Sequence, residues 1–400
     1  MTRTLVVIGH GMVGHRLVDQ LLRLDTEAVW RIVVLAEERH PAYDRVALTS
    51  YLDGKDKEDL SLTGHDFLGD PRVDLRLACP AVAVDRTART VVTAGGDRIP
   101  YDALVLATGS RPFVPPVPGS RLTGCFVYRT FDDLDAIRDA SRAGRPGVVV
   151  GGGLLGLEAA NALRLLGMRP HIVETAPHLM PAQLDAGAAR VLHRQVTELG
   201  LRVHCATATA SVDAHPDGTV RAVTLSDGTV VETDLVVFAA GIRPRDELAA
   251  ALGLERGERG GFLVDGHCRT EDRHVWAVGE CAAVRGRCHG LVEPGFRMAD
   301  SVVRQLLGRD TDPFDDAAPP VTLKLFGVNV ATLGATRAED GQGVEAVFAE
   351  GATRYAKIVL RSDTGELMGG ILAGGTGSRN TLGSFIGRQP PADLEQLLLP

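Results

Sequence analysis

Two stretches of the sequence repeat one plan: a short apolar run, a glycine turn, an amphipathic segment, a second apolar run, and an acidic residue at its end. In the first, Leu5 to Ile8 leads into Gly9-His10-Gly11-Met12-Val13-Gly14. Apolar positions follow at Val13, Leu17, Val18, Leu21 and Leu22, and the run Ile32 to Leu35 ends near Glu37. In the second, Val148 to Val150 leads into Gly151-Gly152-Gly153-Leu154-Leu155-Gly156. A helical pattern passes through Ala159, Leu163 and Leu166, Gly167 stops it, and His171 to Val173 ends at Glu174. Both patterns predict a strand–turn–helix–strand opening of a parallel sheet.

The glycine spacing has a chemical reason. The first glycine permits the tight bend, the second lets backbone approach a pyrophosphate, and the third lets helix and strand pack closely. Helix amides then face the anion. A carboxylate at the end of the second strand, the place of Glu37 and Glu174, accepts hydrogen bonds from ribose hydroxyls and repels the extra phosphate of NADPH. One such turn also occurs where nothing binds; two copies, each with strand, helix and acid, carry the inference. No arginine follows closely in Thr175-Ala176-Pro177-His178, which favours NADH over NADPH at the second turn.

At 400 residues the chain exceeds what one core organises, so two or three domains are expected. With 44% hydrophobic and 24% charged residues it can bury ample apolar surface, and disorder or a fibrous repeat is excluded. A net charge of −8 argues against nucleic acid as a partner, because phosphate-backbone binding needs a cationic face. The richest apolar stretch, Gly147 to Met168, is interrupted by Glu158, Asn161 and Arg164, so no transmembrane helix is expected. Six cysteines without a close pair point to a reducing, cytoplasmic home.

Between the repeats, Val82 to Val92 and Leu104 to Ala107 read as strands. The proline-rich Arg111 to Gly119 reads as a crossover between domains. Asp310 to Pro320 punctuates the chain again, before strand-like runs at Val321 to Leu325, Val328 to Leu333, Tyr355 to Leu360 and Leu367 to Leu372. Asp132-Asp133-Leu134-Asp135 is expected to cap and charge a helix start. His10 and His15 are expected in a turn and on a helix surface. A ligand set drawn from His267, Cys268, Cys281, Cys288 and His289 lacks the short paired spacings of structural zinc sites, and no metal is assigned.

The runs Tyr101 to Pro112 (YDALVLATGSRP), Val237 to Pro244 (VFAAGIRP) and Val275 to Glu280 (VWAVGE) resemble the successive signatures of two-dinucleotide-binding flavoproteins, the pyridine nucleotide-disulfide reductase superfamily. Gly11 to Arg16, Ala42 to Val46, Val127 to Thr130 and Gly151 to Ala160 resemble, more narrowly, the flavin module of the assimilatory NAD(P)H nitrite reductase large subunit. The resemblance covers essentially the whole chain. It implies an α/β fold with two Rossmann-like dinucleotide-binding domains, for FAD and NAD, plus a C-terminal α+β interface domain. The expected boundaries are 1–112 with 245–320 for FAD, 113–244 for NAD(P)H, and 321–400 for the interface domain.

It further implies that Gly9, Gly11, Met12, Val13, Gly14 and Glu37 hold the FAD pyrophosphate and adenosine ribose. Arg45, Ala81, Thr108, Gly109 and Arg129 would line the same cofactor, and Gly279 and Glu280 would face its ribityl chain. Most of the superfamily has aspartate at the last place. Gly151, Gly153, Leu154, Leu155, Gly156, Glu174 and Gly241 would hold NADH, with NADPH not excluded. Glu158 resembles the family glutamate near the nicotinamide; on the residues alone it reads first as a solvated or ion-paired helix residue.

Hydride transfer between stacked nicotinamide and flavin rings asks the protein for positioning and electrostatics. Disulfide and peroxide reductases of the superfamily place a cysteine after the Tyr-x-Arg run; here Tyr43 to Thr49 leads to Ser50, which forms no sulfenate or mixed disulfide. Thr49 and Ser50 are candidates to hydrogen-bond the flavin, or simply to start a helix. Electrons would then leave for a separate iron–sulfur, sirohaem or oxygenase partner, with a homodimer admitted. The cysteine clusters of iron–sulfur and sirohaem domains are absent from these 400 residues, so this chain by itself is not expected to reduce nitrite. The competing expectations are a ferredoxin or rubredoxin reductase for a monooxygenase, an NADH oxidase, and a flavin-bearing redox sensor.

Overall fold

The computed structural model describes residues 2–314, 321–322, 328–338, 343–351, 353–391 and 398. The backbone divides into two compact units, Met1–Arg111 with Ile242–Asp316, and Pro112–Gly241 with Ala317–Pro400. The fold class is α/β, as the repeats predict.

In the first unit a parallel sheet runs in the order Val275–Ala277, Ala103–Leu106, Arg3–Ile8, Trp30–Leu35, Val73–Arg76. Leu5, Val6 and Val7 in its central strand are wholly buried. Both faces are covered, which is why this strand reads as a continuous apolar run. The helix Met12–Leu24 turns Leu17, Val18 and Leu21 into that core, each side chain contributing about 1.5–3 kcal/mol. It packs on the helix Val292–Leu306, where the Arg16 guanidinium donates to both Asp300 carboxylate oxygens at 3.0 Å. The run Val82 to Val92 resolves into two antiparallel strands, Ala81–Asp85 and Thr90–Thr93, joined by Arg98–Pro100.

His10 lies in the turn, as expected, and is 7% exposed; His15 departs from the expected helix surface, being only 9% exposed. Phe67 packs on both rings, from a short helix, His65–Gly69, that the local periodicity around His15 does not reveal. Nδ1 of His10 accepts the Ala42 N–H at 3.2 Å. Burial, and next the adjacent His15, hold His10 down at about 3, so the ring is neutral.

The second unit has its own parallel sheet, in the order Arg202–His204, Arg169–Val173, Pro146–Val150, Val236–Phe238, Cys125–Val127. Val148, Val150 and Phe238 pack with Val212, Val223 and Val231 of a three-stranded antiparallel sheet. The helix Phe131–Ala140 is capped by Thr130, upstream of the aspartate run, and Asp133 closes the capping box. No helix or strand forms from Phe113 to Gly119.

The C-terminal antiparallel sheet runs Val321–Thr322, Val330–Gly334, Leu367–Ala373, Tyr355–Arg361, Gly343–Glu350. Residues 323–325 of the anticipated first run lie outside the described residues. Gly343–Glu350 was not anticipated: it is an edge strand with Val344 and Val347 exposed and only Ala346 and Phe348 partly buried against the core. Lys357, 2% exposed, places Nζ 2.7 Å from Asp185 and 3.1 Å from Glu345. Tyr355 donates its hydroxyl to Asp185 at 2.8 Å, and Asp185 caps the helix Ala186–Glu198 by accepting the Ala188 N–H. Among the described residues no helix is long and apolar enough to cross a membrane.

Candidate dinucleotide sites

The two glycine turns have the same anatomy. Gly9 has φ +111°, and a Cβ there would lie 2.2 Å from the Ala107 carbonyl oxygen; at Gly14 it would lie 2.2 Å from the Gly9 oxygen. Gly151 has φ +117° and the same conflict with Ala239 at 2.4 Å, and Gly156 conflicts with Gly151 at 1.9 Å. These four glycines are required by packing. The middle glycines differ: a Cβ on Gly11 or Gly153 would meet nothing within 4 Å. Each is the N-cap of its helix, and neither helix has a side-chain cap, so the first-turn amides are open to an anion. This arrangement fits a dinucleotide pyrophosphate at both turns.

In the first unit the candidates converge on the Gly9 turn. Thr108 lies beside Gly9, and Val13 packs against Gly279 and Gly295, bringing Gly279 and Glu280 to the start of the helix with Met12. Glu280 accepts the Ser110 hydroxyl at 2.8 Å. Ala78 and Cys79 donate backbone N–H groups to Glu38 and Ala36, at 3.0 and 2.7 Å, setting the segment that leads into Ala81 beside Glu37. Glu37 is ion-paired with Arg245, whose backbone N–H donates to Gly109 and whose carbonyl accepts the Thr108 hydroxyl. Arg245 was missed from sequence; its signal is its place directly after Gly241-Ile242-Arg243-Pro244. The hydrogen bond to Glu37 holds its charge above the ordinary arginine range.

Arg45 pairs with Glu38 and lies 4.9 Å from the Tyr43 ring centre. Burial works against its charge, but Tyr43, Glu38 and the field of Glu280 outweigh it and hold the pKa above the usual value. Thr49 and Ser50 open the four-residue helix Thr49–Leu52, and Ser50 donates its hydroxyl to the Ala47 carbonyl at 2.6 Å.

In the second unit Leu154 and Leu155 begin the glycine helix, and Glu158 stands half-buried one turn on. Glu174 is fixed by backbone: Oε2 accepts the Gly152 N–H and Oε1 the Ala176 N–H, both at 2.7 Å. Gly152, not among the expected site residues, is there because a Cβ would fall 2.8 Å from that of Glu174. Gly241, φ +112°, is open above its Cα, and its carbonyl accepts the Phe113 N–H. Arg129, expected with the FAD residues, belongs to this unit, next to the Thr130 cap. Among the described residues no group of three or more His, Cys, Asp or Glu could hold a metal.

Known proteins similar to this chain identify its family. Residues 3–301 match the family model described as pyridine nucleotide-disulphide oxidoreductase. The chain is 46% identical over 399 residues to the nitrite reductase [NAD(P)H] large subunit of Klebsiella oxytoca, covering 99% of this chain but 41% of that protein. It is 31% identical to the rubredoxin-NAD(+) reductase of Alcanivorax borkumensis, over 92% of this chain and 94% of that one. The ferredoxin reductase for the CYP199A2 system of Rhodopseudomonas palustris superposes with a TM-score of 0.83 at 28% identity, over 93% of this chain and 91% of that one. The chain thus spans less than half the length of the nitrite reductase subunit and nearly all of the other two. It belongs to the pyridine nucleotide-disulphide oxidoreductase family.

Proposed function

We propose that the chain is an FAD-dependent NAD(P)H oxidoreductase that passes electrons from NADH, through flavin, to a separate redox protein. The observation that carries this reading is the paired turn, each with an open, uncapped helix start at its middle glycine and an acidic residue ending the next strand. FAD and the nicotinamide supply the hydride and electron chemistry; the chain binds and orients them. The turn at Gly11 with Glu37 is the FAD side, residues 1–112 with 245–320. The turn at Gly153 with Glu174 is the NADH side, residues 113–244, and 321–400 form an interface domain. Glu280 is assigned to the flavin's ribityl chain, Thr49 and Ser50 to hydrogen bonds with the flavin, Arg129 to the FAD-binding residues and Glu158 to the nicotinamide.

Two observations favour an external acceptor. The position after Thr49 is a serine whose hydroxyl is committed to the Ala47 carbonyl, so no thiol is available there. A relative of nearly equal length is named a rubredoxin-NAD(+) reductase. An iron–sulfur, sirohaem or oxygenase protein is therefore the assigned partner. A reducing cytoplasm suits six cysteines that are all free thiols. The test is an anaerobic titration of FAD-loaded protein with NADH, followed by an acceptor panel. Flavin bleaching, turnover with rubredoxin, ferredoxin or dye, and no NADH-dependent loss of nitrite by the chain alone are expected. A preparation that does not take up FAD, or flavin that NADH leaves oxidised, would refute it.

A further inference from the structure

In the second unit, two imidazoles meet at the edge of the parallel sheet. Nδ1 of His171, in Arg169–Val173, lies 3.1 Å from Nε2 of His204, the last residue of Arg202–His204. The ring planes differ by 10° and the ring centres are 5.3 Å apart. That separation exceeds the N···N distance by about two imidazole ring radii, so both nitrogens lie on the line between the centres and the rings share a plane, head to head. One nitrogen donates and the other accepts. The pair can take one more proton on an outer nitrogen without losing this bond, whereas a second would put protons on both facing nitrogens.

Pleating sets their company. Arg169 lies two residues before His171 on the same face, and Arg202 is in register with His171. With Pro146 and Val230 these side chains line a cleft of about 340 Å³. Neither guanidinium has a hydrogen-bond or ion-pair partner among the described residues. Glu232 lines the cleft from the antiparallel sheet, and Asp227 acts on His204. Burial, then His204, then Arg202 and Arg169, hold His171 down at about 4. His204 is lowered too, by burial first, with Asp227 opposing. Pro146, Arg169 and Arg202 open their strands, so the arginine end of the cleft lies at the amino ends, whereas Gly151 and Glu174 stand at the carboxyl ends; His204, last in its strand, accepts the Glu174 N–H with its carbonyl oxygen at 2.8 Å. The two arginines are no part of the nucleotide turn.

We propose that this cleft is a separate binding site for a small organic oxyanion, a phosphate or carboxylate on a short apolar body. Arg169 and Arg202 would take the charged group, Pro146 and Val230 the apolar part, and the histidine pair would gain a proton as the anion cancels the arginine field. The proposal stands whether or not the redox reading above does.

The test is calorimetric titration of FAD-loaded protein, saturated with NAD+, with phenyl phosphate and with benzoate, alongside NMR of the histidine ring protons. Binding of at least one probe is expected, with affinity at least tenfold weaker in Arg169→Gln/Arg202→Gln, and His171, identified with His171→Asn, titrating at higher pH when the probe is bound. The double variant should keep its FAD content and dye reductase activity. A double variant that fails to fold is replaced by the two single variants, each expected to weaken binding at least threefold. No binding of either probe, binding that survives loss of the arginines, or a His171 titration that the probe leaves in place would each overturn the proposal.

Discussion

Replacing Gly11 and Gly14 by alanine, one at a time, separates the two tasks of the first glycine turn. At Gly11 the backbone has φ −84° and ψ −169°, which alanine adopts freely, and the added Cβ meets nothing within 4 Å. The folded state therefore changes little: the weaker N-cap preference of alanine, about 0.5–1 kcal/mol, is offset by the smaller conformational freedom of the unfolded chain, about 0.4–1 kcal/mol. The methyl does occupy the space through which a pyrophosphate reaches the amides. Losing one charge-assisted hydrogen bond of about 1.5–3 kcal/mol weakens FAD binding by roughly 10- to 150-fold. At Gly14 the order inverts. The Cβ would stand 2.2 Å from the Gly9 oxygen, which must move, and overpacking of this kind costs about 1–3 kcal/mol of stability. Urea unfolding of the FAD-free proteins and fluorescence titration with FAD read the two effects separately. Wild-type FAD affinity in Gly11→Ala, or Gly14→Ala apoprotein as stable as wild type, would refute the reasoning.

Two further predictions concern carboxylates. If Glu174 is the group that repels a 2′-phosphate, Glu174→Ala with Thr175→Arg removes it and adds one that pairs with that phosphate, so the ratio of kcat/KM for NADPH over NADH should rise roughly 5- to 150-fold, about 1–3 kcal/mol. An unchanged ratio in steady-state kinetics would remove Glu174 from the ribose site. Asp185 is held below the usual carboxylate range: burial would raise it, but Lys357, the Ala188 N–H and the Tyr355 hydroxyl outweigh burial. A depressed folded pKa contributes stability above the unfolded value and loses it as pH falls through the folded one. Asp185→Asn should therefore cost about 3 kcal/mol near neutral pH, and the gap from wild type should close with acidification below about pH 4. Denaturant unfolding at several pH values tests this; a gap that does not depend on pH would contradict it.

The strands and turns that carry the glycines were legible because their constraints are local. Buried parallel strands are uninterrupted apolar runs, and the clashes at Gly9 with Ala107 and at Gly151 with Ala239 admit no other residue. What stayed hidden depends on distant partners. Arg245 reveals its role only when it reaches Glu37, more than two hundred residues earlier. His15 is buried because Phe67 covers it, not because of its helical position. Lys357 reads as one charge in an apolar strand until Asp185 and Glu345 enclose it. Gly343–Glu350 is an edge strand whose apolar residues are split between core and solvent, Ala346 and Phe348 packed on the core and Val344 and Val347 exposed, so alternation does not mark it.

The first parallel sheet is assembled from both ends of an interrupted sequence, since Ala103–Leu106 pairs with Val275–Ala277. On a ribosome adding about 5–20 residues per second, roughly ten to thirty seconds separate the synthesis of these neighbours. Through that interval the nascent strand Ala103–Leu106 has one backbone edge without its final partner. The inner side of Met12–Leu24 likewise waits for Val292–Leu306. Translation speed and holdase chaperones should therefore govern the yield of soluble protein more strongly for this unit than for the inserted one, whose five parallel strands all emerge between Cys125 and Phe238.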